Sequence, residues 1–402
     1  MDPRENPYTP NAGARPPALV GRDELLGAFD VLLVRLERGY AEQSMFITGL
    51  RGVGKTVLLG AFRDQADGRG WATVEAEVTK GADFRPRMAH LARRALLQIA
   101  PKTRWKDRAR RAAAALKSFT LTISPDGALG AGLEVEAAEG VADSGNFGED
   151  LADLLVALGE AAQEHGTGVV FLFDEIQFLA PTELEALIAG LHRTVQRALP
   201  VTLVGAGPPQ VPRLAGEAKS YAERLFKFPE IGRLPAPQAA EALTAPALTL
   251  GVDYAKTAVN DMVAYTQGYP YFLQEYGKVL WDEAPRSPVT RADVRRVLPL
   301  VEATLDSSFF RVRAERTTDL ELQYLRAMAE LGPDPQKASD VAHVLGRSSE
   351  QLGPTRSRLI DKGLLYTPGY GLAAFTVPQF DRYMIRNHPL VLTPPKRRSP
   401  PR

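Results

Sequence analysis

Gly49-Leu50-Arg51-Gly52-Val53-Gly54-Lys55-Thr56, GLRGVGKT, satisfies the pattern G-x-x-x-x-G-K-[ST] at every fixed position. The apolar run Met45-Phe46-Ile47 leads into it and predicts a strand. Val57, Leu58 and Leu59, on to Phe62, follow it and predict a helix. Strand, loop and helix in that order are what a phosphate-binding loop requires. Its glycines let successive N–H groups face inward, and the helix N-terminus adds partial positive charge. On this reading Gly49, Leu50, Arg51, Gly52, Val53, Gly54, Lys55, Thr56 and Val57 surround the phosphates of a nucleotide. Lys55 reaches the β and γ phosphates, and the Thr56 hydroxyl ligates Mg²⁺.

A second anchor lies more than a hundred residues downstream, in Val169-Val170-Phe171-Leu172-Phe173-Asp174-Glu175. Five apolar residues in a row predict a strand buried on both faces. Two acids at its carboxyl end stand where open α/β sheets bind ligands. Asp174 is the expected Mg²⁺ carboxylate, and Glu175 the expected group that polarises an attacking water.

Composition narrows the remaining classes. The chain has 402 residues, 45% of them hydrophobic and 24% charged, as in an ordinary globular protein of two or three domains. No apolar run is long enough for a membrane span, and the N-terminus lacks an apolar signal core, so a cytoplasmic protein is expected. With no cysteine, disulfides, thiolate metal sites and cysteine nucleophiles are excluded. A formal net charge of +1 means that any surface for a polyanion must be local.

Working outward, residues 1–17 hold five prolines and predict an extended tail or a strap over the next domain. Residues 18–234 predict the nucleotide-binding core. Within it, residues 102–117 carry seven basic residues against one Asp, a helix that is a solvated face or a contact for an acidic partner. Period-two alternation at Phe119-Leu121-Ile123 and Leu133-Val135-Ala137, around the turn signal Ser124-Pro125-Asp126-Gly127, predicts an inserted β-hairpin over about 118–140. Val201–Val204 predicts another buried strand, ending in Gly205-Ala206-Gly207, and Phe226–Ile231 a final one. Residues 235–317 turn all-helical and predict a small lid and linker. Residues 318–388 predict three helices and a two-stranded wing around Pro368-Gly369-Tyr370-Gly371, a winged helix-turn-helix. Its third helix brings Arg356, Arg358 and Lys362, preceded by Arg347, toward a duplex groove if the domain reads DNA, although Pro354 is expected to interrupt that helix. Residues 389–402 predict a basic, disordered tail.

Taken together, the chain resembles prokaryotic P-loop ATPases of the AAA+/STAND type. Its layout is similar to that of the initiator-like archaeal and actinobacterial members, over about residues 18–388. The resemblance rests on the loop, on Asp174-Glu175, on Leu19-Val20-Gly21-Arg22 ahead of the loop, and on Gly268-Tyr269-Pro270. It implies an α/β core with a parallel five-stranded sheet, a small helical lid and a C-terminal winged helix. It implies ATP and Mg²⁺ as ligands, Gly21 and Arg22 near the adenine, Pro270 near the base, and Arg224 as an arginine finger toward a neighbouring subunit of a homo-oligomer. The partners it implies are ATP and ADP, and duplex DNA or a protein met through the winged helix; no membrane is expected. Such ATPases place a polar sensor near the strand end occupied here by Gly205-Ala206-Gly207. That departure favours slow turnover or a nucleotide-dependent scaffold.

Overall fold

The computed structural model describes residues 1–11, 13–130 and 133–391. These divide into two compact units. The core unit, Val20–Gly49 and Val53–Gly232, holds α1 (Asp23–Glu37), β1 (Ser44–Thr48), α2 (Lys55–Gly68), β2 (Ala72–Glu77), α3 (Phe84–Ile99), α4 (Asp107–Ile123), α5 (Phe147–Glu164), β3 (Val169–Asp174), α6 (Pro181–Gln196), β4 (Val201–Gly207), α7 (Val211–Ala218), α8 (Ala222–Leu225) and β5 (Phe226–Lys227).

The five strands form one parallel sheet, as the resemblance implies, in the order β2-β3-β4-β1-β5. Every residue of β1 and β4 is buried, and β3 is buried up to Phe173. Phe46 stacks on Phe226 with centroids 4.1 Å apart, and Phe84 meets Phe173 edge-on at 5.4 Å. β4 lies between β1 and β3, pairing Thr48 with Gly207 on one side and Phe173 with Gly205 on the other. The carboxyl ends of β1 and β3 therefore flank the Gly-Ala-Gly terminus of β4.

Three expectations for this unit are corrected. The β-hairpin over 118–140 does not form. Phe119, Leu121 and Ile123 lie in the last turns of α4, and residues 133–140 belong to no strand. Alternation in 119–123 is outweighed by the buried helical stripe Ala109, Ala112, Ala113, Leu116 and Phe119, in an alanine-rich run that favours helix. Thr120 and Thr122 donate back to the carbonyls of Lys117 and Phe119, both at 2.8 Å. The segment after the turn lies along α4 instead, where Ser118 Oγ donates to the Ala138 carbonyl at 2.7 Å and the Lys117 ammonium to that of Val135 at 2.5 Å. The last strand is cut to Phe226–Lys227, because Pro229 has no N–H to offer a ladder. Its carbonyl still accepts from the Thr48 amide at 2.9 Å. The third correction concerns residues 1–17, which belong to the other unit.

The helical unit comprises Met1–Leu19, Leu50–Gly52 and the chain from Arg233 onward. It holds α9 (Ala236–Leu248), α10 (Lys256–Thr266), α11 (Pro270–Glu283), α12 (Arg291–Thr304), α13 (Arg311–Ala314), α14 (Asp319–Leu331), β6 (Gln336–Lys337), α15 (Ala338–Val344), α16 (Ser349–Asp361), β7 (Leu365–Tyr366), β8 (Leu372–Phe375) and α17 (Phe380–Asn387). The N-terminal segment straps these helices. Tyr8 is buried and donates to the Leu243 carbonyl at 2.5 Å, while the Trp281 indole N–H donates to the Asp2 carbonyl at 2.9 Å. β6, β8 and β7 make a small antiparallel sheet beside α14–α16. Pro354 lies inside a continuous α16 and does not interrupt it. The carbonyl it leaves unserved is that of Glu350, in the exposed first turn. The expected tail from residue 392 onward falls outside the described residues. Among those described, no helix is long and apolar enough to cross a membrane.

Candidate functional site

β1 delivers the loop and α2 closes it. Gly52 and Gly54 have φ of 80° and 95°, a left-handed conformation that side chains resist, and the resulting turn aims the loop at the first amides of α2. Those first-turn N–H groups have no acceptor within the helix. The Lys55 ammonium donates to the Gly49 carbonyl at 2.9 Å, so the lysine folds back along the loop. At the next residue, the Thr56 hydroxyl donates to Asp174 Oδ2 at 2.5 Å, which joins the two sequence anchors across the end of β4.

Asp174 is held by that hydroxyl and, through Oδ1, by the Glu175 amide at 2.9 Å. Burial pushes its carboxyl above the usual range, while the Thr56 and Glu175 bonds and the Lys55 charge pull the other way. A bound divalent cation favours the carboxylate outright. Among the described residues no group of three or more His, Asp or Glu side chains gathers into a metal cage. Mg²⁺ needs none, since it keeps waters and takes one or two protein oxygens plus phosphate. The donor set of one hydroxyl and one carboxylate fits it.

Glu175 sits at φ 54°, in the left-handed region that favours glycine, where β3 breaks into the following turn. Its carboxylate accepts from the Gln177 amide group. Gln177 is a site residue that the sequence reading missed; only its place two residues beyond the acid pair hints at it. The absent strand-end sensor has a packing cause. A Cβ on Gly205 would stand 2.5 Å from the Phe46 ring and 2.7 Å from Ile176, and one on Gly207 2.6 Å from Val211 and 2.9 Å from Gln177 Oε1.

Arg22, at the N-terminus of α1, donates to the carbonyls of Val53 at 3.2 Å and Gly232 at 3.0 Å, and Gly21 before it has φ 69°. The Gly21-Arg22 segment thus adjoins the loop. Arg224 is exposed on α8 and its side chain has no ion pair among the described residues, while its carbonyl accepts from Gln43 at 3.0 Å. It is not among the groups that meet at Asp174. Pro270 opens α11 in the helical unit. In that unit the Tyr269 hydroxyl comes within 2.6 Å of where Gly52 would carry a Cβ, and it has no hydrogen-bond partner among the described residues. Arg313 lies 3.7 Å over the Phe309 ring, and burial, then the Arg51 charge, lowers its pKa to about 10. Tyr269 and Arg313 carry no sequence motif. A cavity of about 1020 Å³ in the core unit, lined by Lys80, Phe147, Phe178 and Glu183 among others, includes no residue of the loop or of the acid pair.

A parallel sheet with a phosphate loop after its first strand and paired acids at the end of a second defines the class of P-loop nucleotide-binding ATPases. Within that class, residues 18–204 match the model of the AAA ATPase domain. Residues 307–384 match Domain of unknown function (DUF8462). No curated protein matches the chain. Among solved structures, the fold is similar to that of the Walker-type ATPase PABY2304 of Pyrococcus abyssi, at 15% identity over 92% of this chain and 97% of that one, with a TM-score of 0.57. Looser likenesses reach the Thermotoga maritima RuvB Holliday junction branch migration motor (16% identity, 90% and 96% coverage, TM-score 0.46) and the Aeropyrum pernix ORC1 protein in complex with DNA (17%, 92% and 94%, 0.42).

Proposed function

We propose that this chain is a slow, ATP-hydrolysing switch whose nucleotide state governs how its C-terminal module meets a partner. The observation that carries the reading is the 2.5 Å bond from Thr56 to Asp174, which unites the phosphate loop with the acid pair. Loop amides and Lys55 bind the phosphates. Thr56 and Asp174 hold Mg²⁺, which when bound neutralises charge developing on the phosphate oxygens. Glu175, steadied by Gln177, orients the attacking water and accepts its proton. Arg224, exposed on α8, serves a neighbouring copy as an arginine finger. A switch moves only through contacts that differ between the ATP and ADP states, and the γ phosphate supplies them.

We read α14–α17 with β6–β8 as a winged helix that meets protein. The bases that would read DNA through α16 are occupied within the domain. Arg358 and Lys362 pair with buried Glu321 at 3.1 and 2.6 Å, and Arg356 donates to the Leu372 carbonyl at 2.6 Å. A second reading, a nucleotide-dependent scaffold with negligible turnover, draws support from Gly205 and Gly207, which leave β4 without a polar sensor.

Phosphate release and nucleotide binding, measured together, test both. Lys55→Ala is expected to abolish ATP binding. Glu175→Gln is expected to bind ATP as the wild type does and to lose turnover by about 100-fold or more. Full turnover in Glu175→Gln removes Glu175 from the chemistry. Tight ATP binding without phosphate release in the wild type selects the scaffold.

A further inference from the structure

Between residues 85 and 111 the sequence holds eight arginines and two lysines against a single acid, Asp107, in a chain whose net charge is +1. Folding does not neutralise this segment. α3 and α4 pack together in the core unit through Met88, Leu91, Ala95, Ala109, Ala112 and Leu116, all buried. Burying those stripes turns the opposite faces outward. On α3 the outward face carries Arg87, His90 and Arg94, at spacings of three and four. On α4 it carries Arg110 and Arg111, and Arg104 stands exposed in the connection.

Some bases in the stretch are engaged. Arg85 lies 5.6 Å over the Phe147 ring and 3.8 Å from the Asp83 carboxylate, Arg108 donates to Gln163 at 2.9 Å, and Lys106 donates to the Glu164 carbonyl at 3.4 Å. The side chains of Arg87, Arg94, Arg104, Arg110 and Arg111 make no hydrogen bond or ion pair with any described residue. Four exposed guanidiniums on the two helices, with Arg104 between them, repel one another without a counter-charge from any described residue.

We propose that the outer face of α3 and α4 binds the phosphate backbone of duplex nucleic acid. The guanidinium fork matches phosphate oxygens two at a time, and arginine outnumbers lysine here by eight to two. α3 has 16 residues, a length of roughly 24 Å, along which a duplex presents about one charge per 1.7 Å of axis. Contact through the sides of two helices holds the backbone without reading base edges, so binding is sequence-independent. An anionic membrane fits less well. Among the described residues the only large apolar side chain exposed on α3 and α4 is Leu97, at 40%, and the Trp105 N–H is turned inward to the Ala100 carbonyl at 3.0 Å.

Fluorescence anisotropy of the full chain with a labelled duplex of about 30 base pairs, titrated with salt, tests this, using the variant R87Q/R94Q/R110Q/R111Q and the control K337Q/R347Q in the C-terminal module. The wild type is expected to bind with a linear dependence of log Kd on log salt. The quadruple variant should lose at least about 10-fold in affinity and about 3 to 4 units of that slope, while the control changes neither. Circular dichroism melts and ATP affinity, expected to match the wild type, separate lost contact from lost folding and from failure of the nucleotide site. Three outcomes overturn the proposal: wild-type DNA affinity in the folded quadruple variant; no salt-dependent DNA binding by the wild type; or binding of phosphatidylserine vesicles, but not DNA, that the quadruple variant loses.

Discussion

Two arginine-bearing regions look alike in the sequence and behave oppositely in the fold. α16 presents the spacing expected of a groove-reading helix, yet its Arg358 and Lys362 converge on Glu321, which is fully buried. The α3–α4 pair shows no recognition motif, and its Arg87, Arg94, Arg110 and Arg111 meet no acid among the described residues. Basic residues advertise a ligand only when the fold leaves them uncompensated. Compensation is decided by residues distant in the chain, here 37 and 41 positions from their partner.

The comparison breaks first at Glu321. Removing its carboxylate by Glu321→Ala strands two cations and the Thr318 amide that it accepts from at 2.8 Å. The expected loss is about 2 kcal/mol, moderated because Arg358 is 52% exposed and can turn to water. Urea denaturation followed in the helical unit measures it. A loss below about 0.5 kcal/mol would mean that α16 does not use its bases internally.

Acid sharpens the same point. Burial acts to raise the Glu321 carboxyl, but bonds from Lys362, the Thr318 amide and Arg358 overcome it and hold the group at about 2, against an ordinary value of 4.5. A depressed carboxyl contributes stability that is complete above its unfolded value. That contribution is lost as pH falls from there through the folded value. The wild type is expected to lose stability between pH 4.5 and about 2, and Glu321→Gln to lose less in that window. Parallel curves would separate the pair from acid sensitivity. The smallest effect belongs to the other region: Arg94→Gln should shift stability by less than about 0.5 kcal/mol, since no internal partner is lost. A melt displaced by several degrees would show that Arg94 is compensated after all.

Legibility followed the range of the determining interactions. The loop and its flanks are contiguous, and β3 ends on its acids whatever surrounds it, so both were readable. That Thr56 and Asp174 meet follows from giving both to one Mg²⁺; the direct bond between them is seen only in the fold. The misread stretch, 118–140, failed because Phe119-Leu121-Ile123 satisfies two periods in five residues, and burial of Phe119 beside Leu116 decided for helix. The N-terminal strap was misassigned because prolines announce an extended path and say nothing of which surface receives it. What fixed it was Tyr8, through carbonyl and hydroxyl contacts more than two hundred residues away. Gln177 and Tyr269 act through neighbours brought by the fold, and no local pattern marks them.

The glycine pair closing β4 also bears on how this ATPase could diverge. Phe46 and Ile176 occupy the volume that an asparagine or threonine at 205 would need. A polar side chain at 205 is therefore not one substitution away: those apolar groups must be trimmed before it can be installed, and the intermediate forms lose core packing.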